Sequence, residues 1–188
     1  MPRKPFIAEP RRVNPLLRPF NALVDRAAGH RFVPARLMSW DSRTAFSWVG
    51  GSLYWLFPVG RVRKGLGERL LDMVAITTAY AVGSPYCVWD TAESGPTGLS
   101  EGELEAIRTG ADPAELPSLS PRERLAIRYA RLISATPLEF PEDFIAELRS
   151  GFDEQEIVVL AALSAEVNRN ARLFEALGAP PPGTRTGG

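Results

Sequence analysis

Residues 68 to 82, Glu-Arg-Leu-Leu-Asp-Met-Val-Ala-Ile-Thr-Thr-Ala-Tyr-Ala-Val, contain no proline, and apolar side chains cover most of the helical circumference. A helix that is apolar on nearly every side has no face to give to water, so it must run centrally with other elements packed around it. Gly83 supplies its C-terminal stop.

The surrounding elements also read as helices. Ser100 with Glu103, Ser120-Pro121 with Glu123, and Asp153 with Glu156 have the spacing of reciprocal N-terminal caps. The last of these predicts a helix from about Glu154 to Leu177, closed by Gly178. Asn14-Pro15 predicts the start of a first helix carrying Leu16, Leu17, Phe20 and Val24. Ser42 to Phe57 reads as an aromatic-rich helix ended by Pro58 and weakened by Gly50-Gly51, and Pro141-Glu142-Asp143 opens a shorter one. No segment alternates as a strand does, and no repeat recurs at solenoid spacing. The predicted fold class is all-α. With 188 residues, 45% of them hydrophobic, one domain is expected over 14–177. It is flanked by an extended Pro- and Arg-rich arm, 1–13, and a flexible tail, 178–188.

Composition narrows the function. Lysine plus arginine and aspartate plus glutamate are 22 each, and the basic clusters Arg3-Lys4, Arg11-Arg12 and Arg61-Val62-Arg63-Lys64 are short, which argues against a nucleic-acid partner. The first residues lack the apolar run of a secretory signal, and no stretch approaches the roughly 20 apolar residues needed to cross a bilayer. A cytoplasmic protein without a membrane partner is expected. The single cysteine, Cys87, excludes an intramolecular disulfide and a cysteine-rich zinc site.

Cys87 sits in Ser84-Pro85-Tyr86-Cys87, where Ser84 is a good N-cap and Pro85 a good first helical residue. Near the third helical position the free amides and the helix dipole favour a thiolate, and the Ser84 hydroxyl lies within one turn. Asp90 and Glu93 oppose that charge. The plain alternative is a small buried core residue. Asp72 lies among Leu70, Leu71, Met73, Val74, Ala75 and Ile76. A carboxylate buried there must find hydrogen bonds or take up a proton, the profile of a tuned acid or base. Pairing with Arg69 at i−3, or with a basic residue of another helix, accounts for it equally. His30 reads as a helix-end or surface residue, and without a second histidine no spacing points to a metal centre. Trp40, Trp48, Tyr54 and Trp55 read as a core or interface band, and Glu166, Asn168 and Asn170 as a pocket, a subunit contact or a solvated face.

Taken together, Glu68-Arg69-Leu70-Leu71-Asp72, Gly83-Ser84-Pro85-Tyr86-Cys87-Val88-Trp89, Gly98-Leu99-Ser100 with Glu103, and Asn168 and Asn170 ahead of Arg172-Leu173-Phe174-Glu175-Ala176-Leu177-Gly178 resemble the carboxymuconolactone decarboxylase and alkylhydroperoxidase D (AhpD-like) family. The resemblance covers roughly residues 35 to 178. It implies a multi-helix orthogonal bundle that forms a homo-oligomer. The family's peroxidase branch uses a Cys-x-x-Cys pair, a histidine four residues after the second cysteine and a glutamate twelve before the first. By position these fall on Ser84 and Cys87, on Thr91, and on Asp72. The resemblance therefore implies a one-cysteine peroxidase without a cofactor. Cys87 would attack a hydroperoxide, Asp72 accept the thiol proton, and Ser84 or Thr91 hold water or the leaving oxygen. Tyr86 and Trp89 would shape an apolar mouth, and an external thiol or redox protein would supply the electrons. Two other readings stay open. One is a cofactor-free decarboxylase or isomerase of a small carboxylated lactone, with Asp72 or Glu166 as acid-base and Arg172 on the carboxylate. The other is a non-catalytic helical oligomer or ligand-binding protein.

Overall fold

The computed structural model describes residues 6–56 and 66–182. Among them every regular element is helical: α1 Leu17–Ala28, α2 Val33–Met38, α3 Ser42–Leu56, α4 Glu68–Val82, α5 Pro85–Val88 running into a π-turn at Trp89–Glu93, α6 Glu101–Thr109, a 3-10 turn at Pro113–Glu115, α7 Pro121–Ser134, α8 Glu142–Gly151 and α9 Glu154–Leu177. The chain is all-α, as the caps and periodicity require. Arg3-Lys4, Phe57, Pro58, the run Arg61-Val62-Arg63-Lys64, the tail beyond 182 and the side chains of Tyr54 and Trp55 lie outside the described residues. The chain forms two compact units, one of residues 6–56 with 173–182 and the other of residues 66–172.

In the 66–172 unit, α4 is the central helix. Met73, Val74, Ile76 and Ala79 are fully screened from water, while α7 packs along α4 and α5, the π-turn and α6 take other sides. Met73 and Ile76 meet Ile107, Leu119 and Ile127 in one cluster, with Tyr80, Ala92, Leu99, Leu104 and Leu116 against its edges. Each large apolar side chain buried there contributes about 1.5–3 kcal/mol. Gly83, at φ 74°, ends α4 in the left-handed conformation that a side chain would strain.

All three reciprocal caps form. The hydroxyls of Ser100 and Ser120 each accept the amide of the glutamate three residues on at 3.3 Å, and those glutamates, Glu103 and Glu123, accept the serine amides at 2.8 Å. Asp153 and Glu156 exchange the same pair of bonds at 2.7 and 3.1 Å. Arg69 of α4 then reaches both capping glutamates, through Nη2 to Glu103 at 2.7 Å and Nε to Glu123 at 2.8 Å, while Nη1 donates to the Gly98 carbonyl. This guanidinium holds the Glu103 carboxyl down to about 2.

In the other unit, Phe32, Trp48 and Phe174 form an aromatic core with ring centroids 5.6 to 6.4 Å apart. Asp25 accepts the Phe32 amide at 2.8 Å and pairs with Arg36, which fixes the start of α2. Residues 6–9 are tied down: the Phe6 amide donates to Leu177, the Trp40 indole to Ala8 at 2.7 Å, and Arg31 to Glu9. Asn14 does not cap α1 directly. It accepts the Leu16 amide at 3.0 Å in a preceding turn, and the helix begins at Leu17. The helix over Gly50-Gly51 holds. The aromatic band divides: Trp48 is core, whereas Trp40 is 62% exposed.

Among the described residues, no helix is long and apolar enough to cross a membrane, and no three metal-ligating side chains gather.

Candidate thiol site

The site is built on the reversal between α4 and α5. Gly83 turns the chain, its amide and that of Ser84 both reaching the Ala79 carbonyl, at 3.0 and 3.4 Å. Ser84 is then extended, Pro85 takes the first helical position, and the Ser84 hydroxyl accepts the Cys87 amide at 3.4 Å. That much follows the sequence.

The expected helix, however, keeps α pairing for only one turn. The Val88 amide bonds Ser84 at i−4, but the Ser94 amide bonds Trp89 at i−5. Two side chains bond carbonyls inside this segment, Thr91 to Cys87 at 2.8 Å and Ser94 to Asp90 at 2.6 Å. Hydroxyls that bond back onto the helix in this way loosen its regular pairing. The segment is a π-turn, a feature found disproportionately at functional sites.

The thiol lies inside the fold. Ser84 and Tyr86 are fully screened and Cys87 is 4% exposed. Trp89 is half-buried and meets the Tyr86 ring edge-on at 6.2 Å. Asp72 is half-buried between the buried Leu71 and Met73, so it keeps contact with solvent that its neighbours lack. The Arg69 guanidinium, one candidate partner for Asp72, is directed at Glu103, Glu123 and Gly98.

Packing of Ala92 against the Met73–Ile76 cluster shows that the segment after Gly83 runs back beside α4. Asp72 stands ten residues before the end of α4, about 15 Å along its axis. Glu93 is exposed beside Tyr80, whose hydroxyl is pushed up by burial and by that charge.

The remaining candidates sit on other elements. Glu166 accepts from Arg169 at 2.6 Å and Asn170 at 3.2 Å, and Arg172 is exposed. Asn168 donates to the Ser134 hydroxyl at 3.1 Å and the Ser164 carbonyl at 3.0 Å, joining α9 to α7. His30, just past the end of α1, stacks on Phe32 at 5.9 Å. A cleft of about 270 Å³ lies between α7 and α8, lined by Arg128, Arg131, Leu132, Pro141, Asp143 and Phe144, and shares no residue with the thiol site.

No family model matches the chain. The uncharacterized Escherichia coli K12 protein YnjA is 29% identical over 170 residues, which are 89% of each chain. Among solved structures, a cysteine-to-alanine variant of the debrominase Bmp8, in complex with 2,3,4-tribromopyrrole, aligns over 93% of this chain and 91% of its own, with a TM-score of 0.74 at 17% identity. An alkylhydroperoxidase AhpD core, an uncharacterized peroxidase-related protein of Ralstonia eutropha JMP134, aligns over 90% and 86% at a TM-score of 0.70 and 17% identity. A protein of unknown function from Agrobacterium tumefaciens, described as a putative antioxidant defence protein AhpD, aligns over 75% and 92% at a TM-score of 0.61 and 21% identity. The chain has the AhpD-like fold. In this AhpD-like fold Asp72 lies on α4, Ser84 and Cys87 at the start of α5, and Thr91 in the π-turn that follows.

Proposed function

We propose that the chain is a thiol-dependent peroxidase with one redox cysteine, Cys87, working as a homo-oligomer in the cytoplasm. The observation that carries this reading is the placement of Cys87. It lies within an AhpD-like fold at the position the resemblance gives to a redox cysteine, with its backbone fixed on both sides. The Cys87 thiolate attacks one oxygen of a hydroperoxide; an S–O bond forms, the O–O bond breaks, and the alcohol leaves after taking a proton. The sulfenic acid condenses with an external thiol, releasing water, and a second thiol frees Cys87 as it forms a disulfide with the first. With Ser84 in the other position of the pair, both reducing thiols come from outside the chain. Asp72 takes the thiol proton. The homo-oligomeric state is what the AhpD-like resemblance implies.

The likeness to Bmp8 favours a second substrate class, an electron-rich halogenated aromatic. There the sulfur takes the halogen, the C–X bond breaks and the carbon gains a proton. An external thiol then displaces halide to give a mixed disulfide, which a second thiol resolves.

The test is turnover with an excess of dithiol. Cumene hydroperoxide and a bromopyrrole are offered in turn to wild type and Cys87→Ser. The peroxidase reading expects hydroperoxide consumption that Cys87→Ser abolishes. Debromination alone moves the assignment to the second class, and unchanged turnover in Cys87→Ser ends both.

A further inference from the structure

Both peptide groups of Cys87 are held by side-chain hydroxyls. Its amide donates to Ser84 Oγ at 3.4 Å, and its carbonyl accepts from Thr91 Oγ1 at 2.8 Å. These are two of the positions at which the chain departs from the pattern it resembles. The second bond falls where the backbone changes register: Trp89 N still bonds Pro85 O at i−4, whereas Ser94 N bonds Trp89 O at i−5. The Thr91 hydroxyl bond thus spans the change from i−4 to i−5 pairing, where a side-chain donor bears on the backbone orientation.

We propose that Ser84 and Thr91 are positioning residues, a pair of hydroxyls that clamp the Cys87 backbone and so hold the buried sulfur in its reactive orientation. This rests on Cys87 being the reacting group. It gives Thr91 a task other than proton relay, since its hydroxyl hydrogen is directed at the Cys87 carbonyl. Releasing that carbonyl lets the π-turn revert toward α pairing. The resulting rotation moves the sulfur by a fraction of an ångström to an ångström, a displacement large enough to change a reaction rate severalfold.

The experiment is alkylation of Cys87 by iodoacetamide across pH 6–10, with thermal melting as a control for folding, in the full-length protein. Thr91→Val keeps the shape of the side chain and removes the donor; it is expected to slow alkylation at least about fivefold and to move the pH midpoint. Thr91→Ser, which keeps the donor, is expected to remain within about twofold of wild type. Ser84→Gly keeps an acceptable N-cap while removing the hydroxyl, and is expected to change the profile in the same sense. Should Thr91→Val fail to fold, Ser84→Gly decides alone. A rate and pH profile equal to wild type in the deciding variant overturns the clamp, including the case in which neither thiol reacts. Alkylation is independent of turnover, so an inactive wild type sinks the functional reading and leaves this inference standing.

Discussion

At Cys87 the sulfur and its substitutes are close in size, so the chemistry can be separated from the packing. Cys87→Ser is expected to remove turnover while costing about 1–2 kcal/mol of stability, measured by urea denaturation, because a hydroxyl enters a site 4% exposed. Arg69 presents the opposite case. Arg69→Met leaves buried Glu103 without its guanidinium, and is expected to cost about 1–3 kcal/mol in the same assay, below the range of fully buried pairs because Arg69 is 37% exposed. Sequence reasoning located both residues, and the structure adds their surroundings. Asp72 has apolar neighbours in the chain, yet each step along a helix rotates by about 100°, so those neighbours can face the core while the acid meets solvent. Arg69, weighed as the partner of a residue three positions away, is instead directed at glutamates 34 and 54 positions away.

Elements were most legible where their signal is local. The three capping boxes are readable because donor and acceptor lie three residues apart on the same chain, and each formed as expected. Ser120→Ala is expected to destabilise by about 1 kcal/mol, read as a shift in denaturation midpoint without change in slope. Gly83→Ala should cost about 1 kcal/mol. No atom stands within 4 Å of an added Cβ, so the loss there is one of backbone conformation alone. The π-turn was not legible. A shift from i−4 to i−5 pairing has no residue signature, and only the bond from the Ser94 amide to the Trp89 carbonyl reveals it.

Across the whole molecule, fold class was readable because caps and periodicity repeat along the chain, whereas the long-range ties, Arg69 to Glu123 and Asn168 to Ser134, leave no local trace. The Arg69 junction has a pH signature. Glu103 is depressed to about 2 from 4.5, so its contribution is complete above about pH 4.5 and is lost as pH falls toward 2. Acid titration of stability is expected to lose about 1–3 kcal/mol over that window, reduced from the full value because Arg69 is 37% exposed, and Glu103→Gln should flatten the slope. The depth of Cys87 bears on what can react there at all. A sulfur only 4% exposed is expected to discriminate by girth: a compact oxidant such as hydrogen peroxide should react faster than a bulky aryl disulfide, and the ratio of the two rates measures how far the enclosing side chains limit access.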